Sequence, residues 1–281
     1  MTTNAAPDDR IASELPAIRA LDALSLDDLN SRAELQTRVD RKYMLAEAEL
    51  PAVLAELDPR TLALEFPNGD RSSAYESVYF DTPELASFHL AAHARRKRFK
   101  IRTRSYVDAG VAFLEVKTRG GRSLTVKDRF EVDQATASEL TCEARAYAGG
   151  VLDAAGIATP PLATMAPTLT TRYRRTTLLL PAEPGRDESR ATIDRELEWI
   201  DEGGHGAFAK RMRLPRTVIV ETKSGSRAGA LDRALWRRGH RPATVSKYGT
   251  GLAALRPGLP RTKWHRVLST RFAPDATFSP A

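Results

Sequence analysis

The sequence predicts an α+β fold, an antiparallel barrel or curled sheet of about eight strands with helices around it. Three observations point there. Segments with period-two alternation follow one another closely. Hairpin signals such as Asp108-Ala109-Gly110 join them. The helical segments are interspersed without the regular strand-helix alternation of parallel units.

In chain order, residues 1–31 read as a loose arm with a short helix over 25–30, and 38–45 alternates as a strand. Residues 47–56 have helical spacing and exit at Asp58-Pro59. A strand over 75–81 is followed by Thr82-Pro83-Glu84, which opens a short helix through His89. Strands over 97–107 and 111–118 form a hairpin, and Gly120-Gly121 turns into a strand over 124–132. Residues 136–147 are helical, and Pro160-Pro161 punctuates the chain. Strands resume over 168–180, 190–198 and 216–223, the last two joined by a Gly-rich link near Gly203. Residues 229–239 form a helix, and the Pro- and Arg-rich tail after Pro257 is partly extended. These elements set an arm over 1–31, a main domain over 32–256 and a tail over 257–281.

The chain has 281 residues, 42% hydrophobic and 28% charged, the composition of a soluble globular protein with room for a sizeable core. It holds no apolar run long enough to span a bilayer, and its polar, acidic start shows no leader pattern, so a cytoplasmic location is expected. The single cysteine, Cys142, excludes an intrachain disulfide and a cysteine-based metal site. Five scattered histidines argue against a zinc site, and the helical spacing of His89 and His93 assigns none. A net charge of +7 points to polyanionic partners.

The placement of the charges narrows that choice. Residues two apart share a strand face. Lys100, Arg102 and Arg104 therefore share one face; Glu115 and Lys117 share another, opposite Leu114 and Val116; Glu221 and Lys223 lie opposite Val218 and Val220. Lys127, Arg129 and Glu131 repeat the pattern, as do Arg190, Thr192 and Asp194, and Arg38, Asp40 and Lys42. One such strand is an ordinary amphipathic strand with its charges in solvent. Recurrence on six strands favours a charged interior. Small barrels fill their interior with side chains, and buried cations need opposite charge, which carboxylates, a polyphosphate and a divalent metal can supply.

In this arrangement the sequence resembles the polyphosphate polymerase (VTC) domain of the vacuolar transporter chaperone complex, within the triphosphate tunnel metalloenzymes, from about Arg38 to Leu255. The likeness is carried, in order, by Arg41-Lys42-Tyr43, Tyr79-Phe80-Asp81-Thr82, Lys100-Ile101-Arg102-Thr103-Arg104, Leu114-Glu115-Val116-Lys117 and Ser123-Leu124-Thr125-Val126-Lys127. It continues through Tyr173-Arg174-Arg175-Thr176, Arg190-Ala191-Thr192-Ile193-Asp194, Val220-Glu221-Thr222-Lys223 and Val245-Ser246-Lys247-Tyr248. Each motif alone is weak; the ordered set is specific.

The resemblance implies an eight-stranded antiparallel tunnel and a polymerase that moves the γ-phosphate of ATP onto inorganic polyphosphate. It implies phosphate binding by Lys42, Arg102, Arg104, Lys117, Lys127, Arg175, Arg190 and Lys247, with Tyr173 and Ser246 as smaller polar contacts. Lys117, Arg104 and Lys247 are the implied catalytic residues, Glu221 the metal ligand, and Glu115 a weaker metal or salt-bridge candidate; the metal is Mn²⁺ or Mg²⁺. Arg175 is chosen by the motif, while Arg172 and Arg174 remain open on facing. The run Arg95-Arg96-Lys97-Arg98 reads as a solvated or polyanion-steering surface.

Two departures matter. The superfamily's opening Glu-Xaa-Glu-Xaa-Lys reads here Arg38-Val39-Asp40-Arg41-Lys42, which argues against the cyclase and triphosphatase branches. Thr244 stands where the polymerases often carry Lys, removing one product-side contact. The family's flanking sensing and transmembrane domains are not in this sequence, so coupling to export would take a separate membrane partner. The rival readings are a metal-dependent triphosphatase or polyphosphatase, and a non-catalytic polyphosphate or inositol-phosphate binding module. Nucleic acid is disfavoured by 7% aromatics and the lack of a strand interleaving aromatic and basic residues.

Overall fold

The computed structural model describes residues 15–32, 39–119, 125–203 and 210–281. Arg38, the Gly120-Gly121 turn and the Ser123-Leu124 start of one motif lie outside them. The elements are α1 (Pro16–Arg19), β1 (Asp22–Leu24), α2 (Leu26–Arg32), β2 (Val39–Ala46), α3 (Leu50–Leu54), β3 (Leu62–Leu64), β4 (Ser73–Asp81), α4 (Ala86–Ala92), β5 (Arg98–Tyr106), β6 (Val111–Arg119) and β7 (Thr125–Val132). They continue with α5 (Cys142–Ala154), β8 (Ala166–Leu180), β9 (Ser189–Asp201), β10 (Lys210–Leu214), β11 (Thr217–Ser224), α6 (Ala230–Arg237), α7 (Lys247–Leu255), α8 (His265–Val267) and β12 (Thr277–Pro280).

The fold is α+β with a large antiparallel sheet, as expected. All eight predicted strands are present, as β2, β4 to β9 and β11, and the short β1, β3, β10 and β12 bring the sheet to twelve among the described residues. Its hydrogen-bonded order is β12-β10-β9-β8-β4-β5-β6-β7, with β11 joining β9 to β2. Among the described residues the two ends of that order are not paired with each other, so the barrel is only approximate. Only short strands were missed: runs of three to five residues carry too little alternation to be read.

The chain divides into two compact units. The first comprises Met1–Ser73, Arg174–Glu196 and Arg216–Ala243; the second comprises Ala74–Tyr173, Leu197–Pro215 and Thr244–Ala281. In the first, β11 pairs antiparallel with β2 and with β9. Tyr43, Leu45, Ile193, Val218 and Val220 share one face and pack against Leu231, Ala234 and Leu235 of α6. In the second, β4, β5, β6 and β7 pair in sequence. Phe80, Ile101, Leu114 and Val116 pack against Ala144, Ala148 and Leu152 of α5. One sheet face in each unit is thus closed by a helix through the hydrophobic effect, and the charged alternate residues fall on the other face.

Three expectations shift. The helix read over 136–147 is α5, which begins only at Cys142. Thr141 caps it, its hydroxyl accepting from the Ala144 amide at 3.2 Å, and its buried residues Ala144, Ala148 and Leu152 recur four apart. The tail after Pro257 is extended in part, at β12, as expected, but it also carries an unforeseen helical run from the turn Thr262–Trp264 through α8 to Leu268–Phe272, where Trp264, Val267, Leu268 and Phe272 are buried at helical spacing. The helix α7 was not foreseen. Gly249 and Gly251 lower its propensity, yet both are required. The Trp264 ring lies against Gly249 and the Trp199 ring against Gly251, so closely that a Cβ at either would run into the indole. Among the described residues no helix is long and apolar enough to cross a membrane.

Candidate phosphate-binding site

In the second unit the strand register lines up the predicted cations in rows. Lys100 stands opposite Lys117, which stands opposite Lys127; Arg102 stands opposite Glu115, which stands opposite Arg129. Glu115 is 1% exposed and is the hub. Arg102 donates to it from Nε and Nη2 at 2.9 and 2.6 Å, Lys127 Nζ approaches to 2.6 Å and Arg104 Nη1 to 3.7 Å. The third side of the Arg102 fork is used as well, Nη1 donating to the Tyr79 hydroxyl at 2.9 Å.

The electrostatics follow from this crowding. Burial raises the Glu115 carboxyl, but Arg102, Arg104 and Lys127 outweigh it and hold the group far below the usual carboxylate range. Arg102 is the largest influence on Lys117, followed by burial and Arg104; together they pull its ammonium down to about 6. Among the described residues Lys117 has no carboxylate at salt-bridge distance, since Glu115 is occupied by its neighbours. The Tyr79 phenol is pushed up by burial and pulled, on balance, below its ordinary value by Arg102, Arg104 and Lys247.

Helix α7 supplies the remaining groups of this unit. Ser246 is its N-cap, accepting from the Gly249 amide at 3.2 Å, and it receives Lys100 Nζ at 3.1 Å. Trp199 Nε1 donates to the Lys247 carbonyl at 2.8 Å and anchors the first turn. Lys247 Nζ lies 4.2 Å from the centre of the Tyr173 ring, and Lys100 lies 5.8 and 5.9 Å from the Tyr79 and Tyr248 rings. Tyr248 in turn donates to buried Asp81, whose carboxylate also accepts the amides of Ser87 and Phe88 at 2.9 Å.

The first unit carries the other predicted residues. Lys42, Glu221 and Thr192 form one cross-strand row, with Lys42 Nζ 3.9 Å from Glu221 Oε2. Arg175 grips Asp194 through Nε and Nη2 at 2.6 and 2.9 Å. Arg190 donates to the Leu29 carbonyl at 3.0 Å. Arg174, which falls on the opposite parity, bonds Ser72, while Arg172, in the second unit, pairs with Glu76. Arg95, Arg96 and Lys97 are exposed, and His89 and His93 stack on each other at 5.9 Å.

Among the described residues no three His, Cys, Asp or Glu side chains gather as a metal site. A hard divalent cation does not need such a cage: it takes one or two carboxylates and completes its shell with phosphate oxygens and water. Glu221, half-buried beside Thr192 and Lys42, fits that demand. Of the two roles open to Glu115, the salt bridge fits better, because both its oxygens already face cations.

Lys100, Tyr79 and Tyr248 were not among the residues named as the site. Lys100 was legible, since it shares the parity of Arg102 and Arg104; the two tyrosines sat inside motifs without a role.

A family model described as VTC domain matches residues 37–256. No curated protein matches the chain. Among solved structures, one described as a putative adenylyl cyclase HpAC1 from Hippeastrum with a dominant triphosphatase activity is 15% identical, with a TM-score of 0.43 over 76% of this chain and 94% of that one. A protein of Pyrococcus horikoshii, PH1819, is 13% identical, with a TM-score of 0.36 over 73% of this chain and 92% of that one. A conserved hypothetical protein of Pyrococcus furiosus is 14% identical, with a TM-score of 0.34 over 72% and 88%.

Proposed function

The chain belongs to the VTC domain family, and from that premise we propose that it is a metal-dependent phosphotransferase, a polyphosphate polymerase that extends inorganic polyphosphate with the γ-phosphoryl group of ATP. The observation that carries this reading is the imbalance on the β5–β6–β7 face. Arg102, Arg104 and Lys127 share one carboxylate, Glu115, and Lys117 and Lys100 stand in line with Lys127 in the next row. Holding so many cations together is unfavourable unless an anion joins them. A triphosphate is such an anion, and Arg forks and Lys ammonium groups match its oxygens.

In the proposed reaction the acceptor's terminal phosphate oxygen forms a bond to the γ-phosphorus in line with the bridging oxygen to the β-phosphorus. That bridging bond breaks, and ADP leaves with the electron pair. Phosphoryl transfer of this kind rests on positioning and on charge stabilisation rather than on a side-chain nucleophile. Arg102, fixed by Glu115 and Tyr79, orients phosphate oxygens; Arg104 and Lys117 offset charge shifting onto the leaving and transferred groups; Lys127, Ser246, Lys247 and Tyr173 complete the contacts of this unit. In the first unit, Lys42, Arg175 and Arg190 take phosphate-binding roles and Glu221 holds the metal. Mn²⁺ or Mg²⁺, when bound, would screen the phosphate charge and fix its geometry. Phosphate binding drives Lys117 to its charged form, because the arriving anion reverses the repulsion by Arg102 that lowers it. Coupling to export would call on a separate membrane partner; the site itself calls for ATP and polyphosphate and for no nucleic acid, with work at the cytoplasmic side.

The test is to incubate the protein with ATP and Mn²⁺ and resolve the products on a polyphosphate-staining gel beside the Glu221→Ala and Lys117→Ala variants. Chains made by the wild type, with at least ~100-fold less from either variant, are expected. Orthophosphate without chains would replace the polymerase with a triphosphatase, and binding of ATP without its consumption would leave a sensor module.

A further inference from the structure

Four aromatic side chains of the second unit, Tyr75, Tyr106, Phe113 and Tyr173, gather at one end of its basic face. On β5, Tyr106 follows Arg104 by two residues and so shares its side. Tyr75 of β4 stands opposite Tyr106, and Phe113 of β6 stands opposite Arg104. The rings touch. Tyr75 and Tyr106 have centroids 4.9 Å apart, Tyr106 and Phe113 meet edge-on at 6.0 Å, and Tyr75 stacks on Tyr173 at 5.4 Å with 11° between the planes. Cations border them: the Arg104 guanidinium is 5.8 Å from the Tyr75 centroid and that of Arg129 is 5.1 Å from the Phe113 centroid. Tyr75, Tyr106 and Phe113 are only half-buried, unlike the core aromatics Phe80 and Phe99 on the opposite face. At the other end of β5, β6 and β7 the rows are Lys100–Lys117–Lys127 and Arg98–Arg119, which hold cations and no carboxylate.

A nucleoside triphosphate has the same asymmetry, with a polyanion at one end and a π-face at the other. Successive rows on one strand face are about 7 Å apart. A phosphate chain running along Lys117, Arg102 and Arg104 therefore brings the sugar and base to the tyrosines rather than among the lysines. Aromatic rings next to arginines are the surfaces on which bases stack. We infer that Tyr75, Tyr106 and Phe113 form a nucleobase subsite, with the triphosphate lying along β5 so that its γ-phosphate points to the Lys100–Lys117–Lys127 row and the growing polymer leaves toward Arg98 and Arg119. This rests on the proposal that the basic face holds a triphosphate. No single strand interleaves the aromatic and basic residues; three neighbouring strands do, which a reading strand by strand misses.

The experiment compares a ligand with a base and one without. ATP and inorganic tripolyphosphate are titrated calorimetrically, each with Mg²⁺, into the full chain and into Tyr106→Leu and Phe113→Leu, with thermal melting to verify that each variant folds. Loss of about tenfold in ATP affinity in either folded variant is expected, with tripolyphosphate affinity held within about twofold. Equal losses for both ligands, or no loss for ATP in either variant, would overturn the subsite while leaving the phosphate site standing. Failure of the wild type to bind tripolyphosphate would overturn the phosphate site, and the subsite with it.

Discussion

The two units carry the same short motif to different ends. In the first, Glu221 and Lys223 lie on β11, where Glu221 is flanked across the sheet by Thr192 and Lys42. Cations there meet their own carboxylates: Lys42 meets Glu221, Arg175 meets Asp194, Arg41 meets Asp232 and Arg195 meets Glu47. In the second, Glu115 and Lys117 lie on β6, where Glu115 is flanked by Arg102 and Arg129 and is shared by three cations while Lys117 sits among them. Lys42 faces Glu221 in one unit, whereas three cations share Glu115 in the other. The charge environment of a Glu-Xaa-Lys triplet is therefore decided by the strands on either side of it, and the surplus of cations lies around the triplet of the second unit.

The largest effect expected from this contrast is on stability. Glu115→Ala leaves buried Arg102 and Arg104 without their counter-charge and should cost about 3–5 kcal/mol in urea unfolding. Glu221→Ala should cost at most ~1 kcal/mol, because its pair with Lys42 is at 3.9 Å and partly exposed. Similar losses for the two would break the distinction between hub and pair.

A smaller effect sharpens it. Lys117 has a folded-state value near 6 against an ordinary 10.5. Between those values the unfolded chain binds more protons than the folded one, so this residue's contribution to stability rises with pH across that window; its penalty is full below about 6 and gone above about 10.5. Lys117→Met should therefore raise the melting temperature, by about 2–4 °C for each kcal/mol relieved, most at pH 6 and progressively less toward pH 9. A variant that melts lower than the wild type at pH 6 would show that Lys117 is stabilised by its surroundings, contrary to the charge excess.

Much of this was legible in the sequence because strand parity is strict. Leu114 and Val116 became core while Glu115 and Lys117 faced away from it, and Val218 and Val220 did the same against Glu221 and Lys223. The predicted cations Arg102, Arg104 and Lys127 converge on one carboxylate, with Lys117 crowded beside them, for that reason. What was hidden depends on contacts between distant segments. Only the Ser246 cap marks 247–255 locally as a helix, and its glycines are explained only by the rings of Trp199 and Trp264. The division of long β8 and β9 between two units follows from tertiary contacts, and the aromatic cluster of Tyr75, Tyr106 and Phe113 exists only once three strands are in register.

The central claim, that the second unit's surplus of cations is a phosphate-chain site, is tested most directly by thermal melting at pH 7 with and without inorganic tripolyphosphate. The wild type should be stabilised by about 2.7 kcal/mol at a ligand concentration a hundredfold above its Kd, and Lys117→Ala should lose at least about half of that shift at the same concentration. No shift in the wild type, or an undiminished shift in Lys117→Ala, would contradict the assignment.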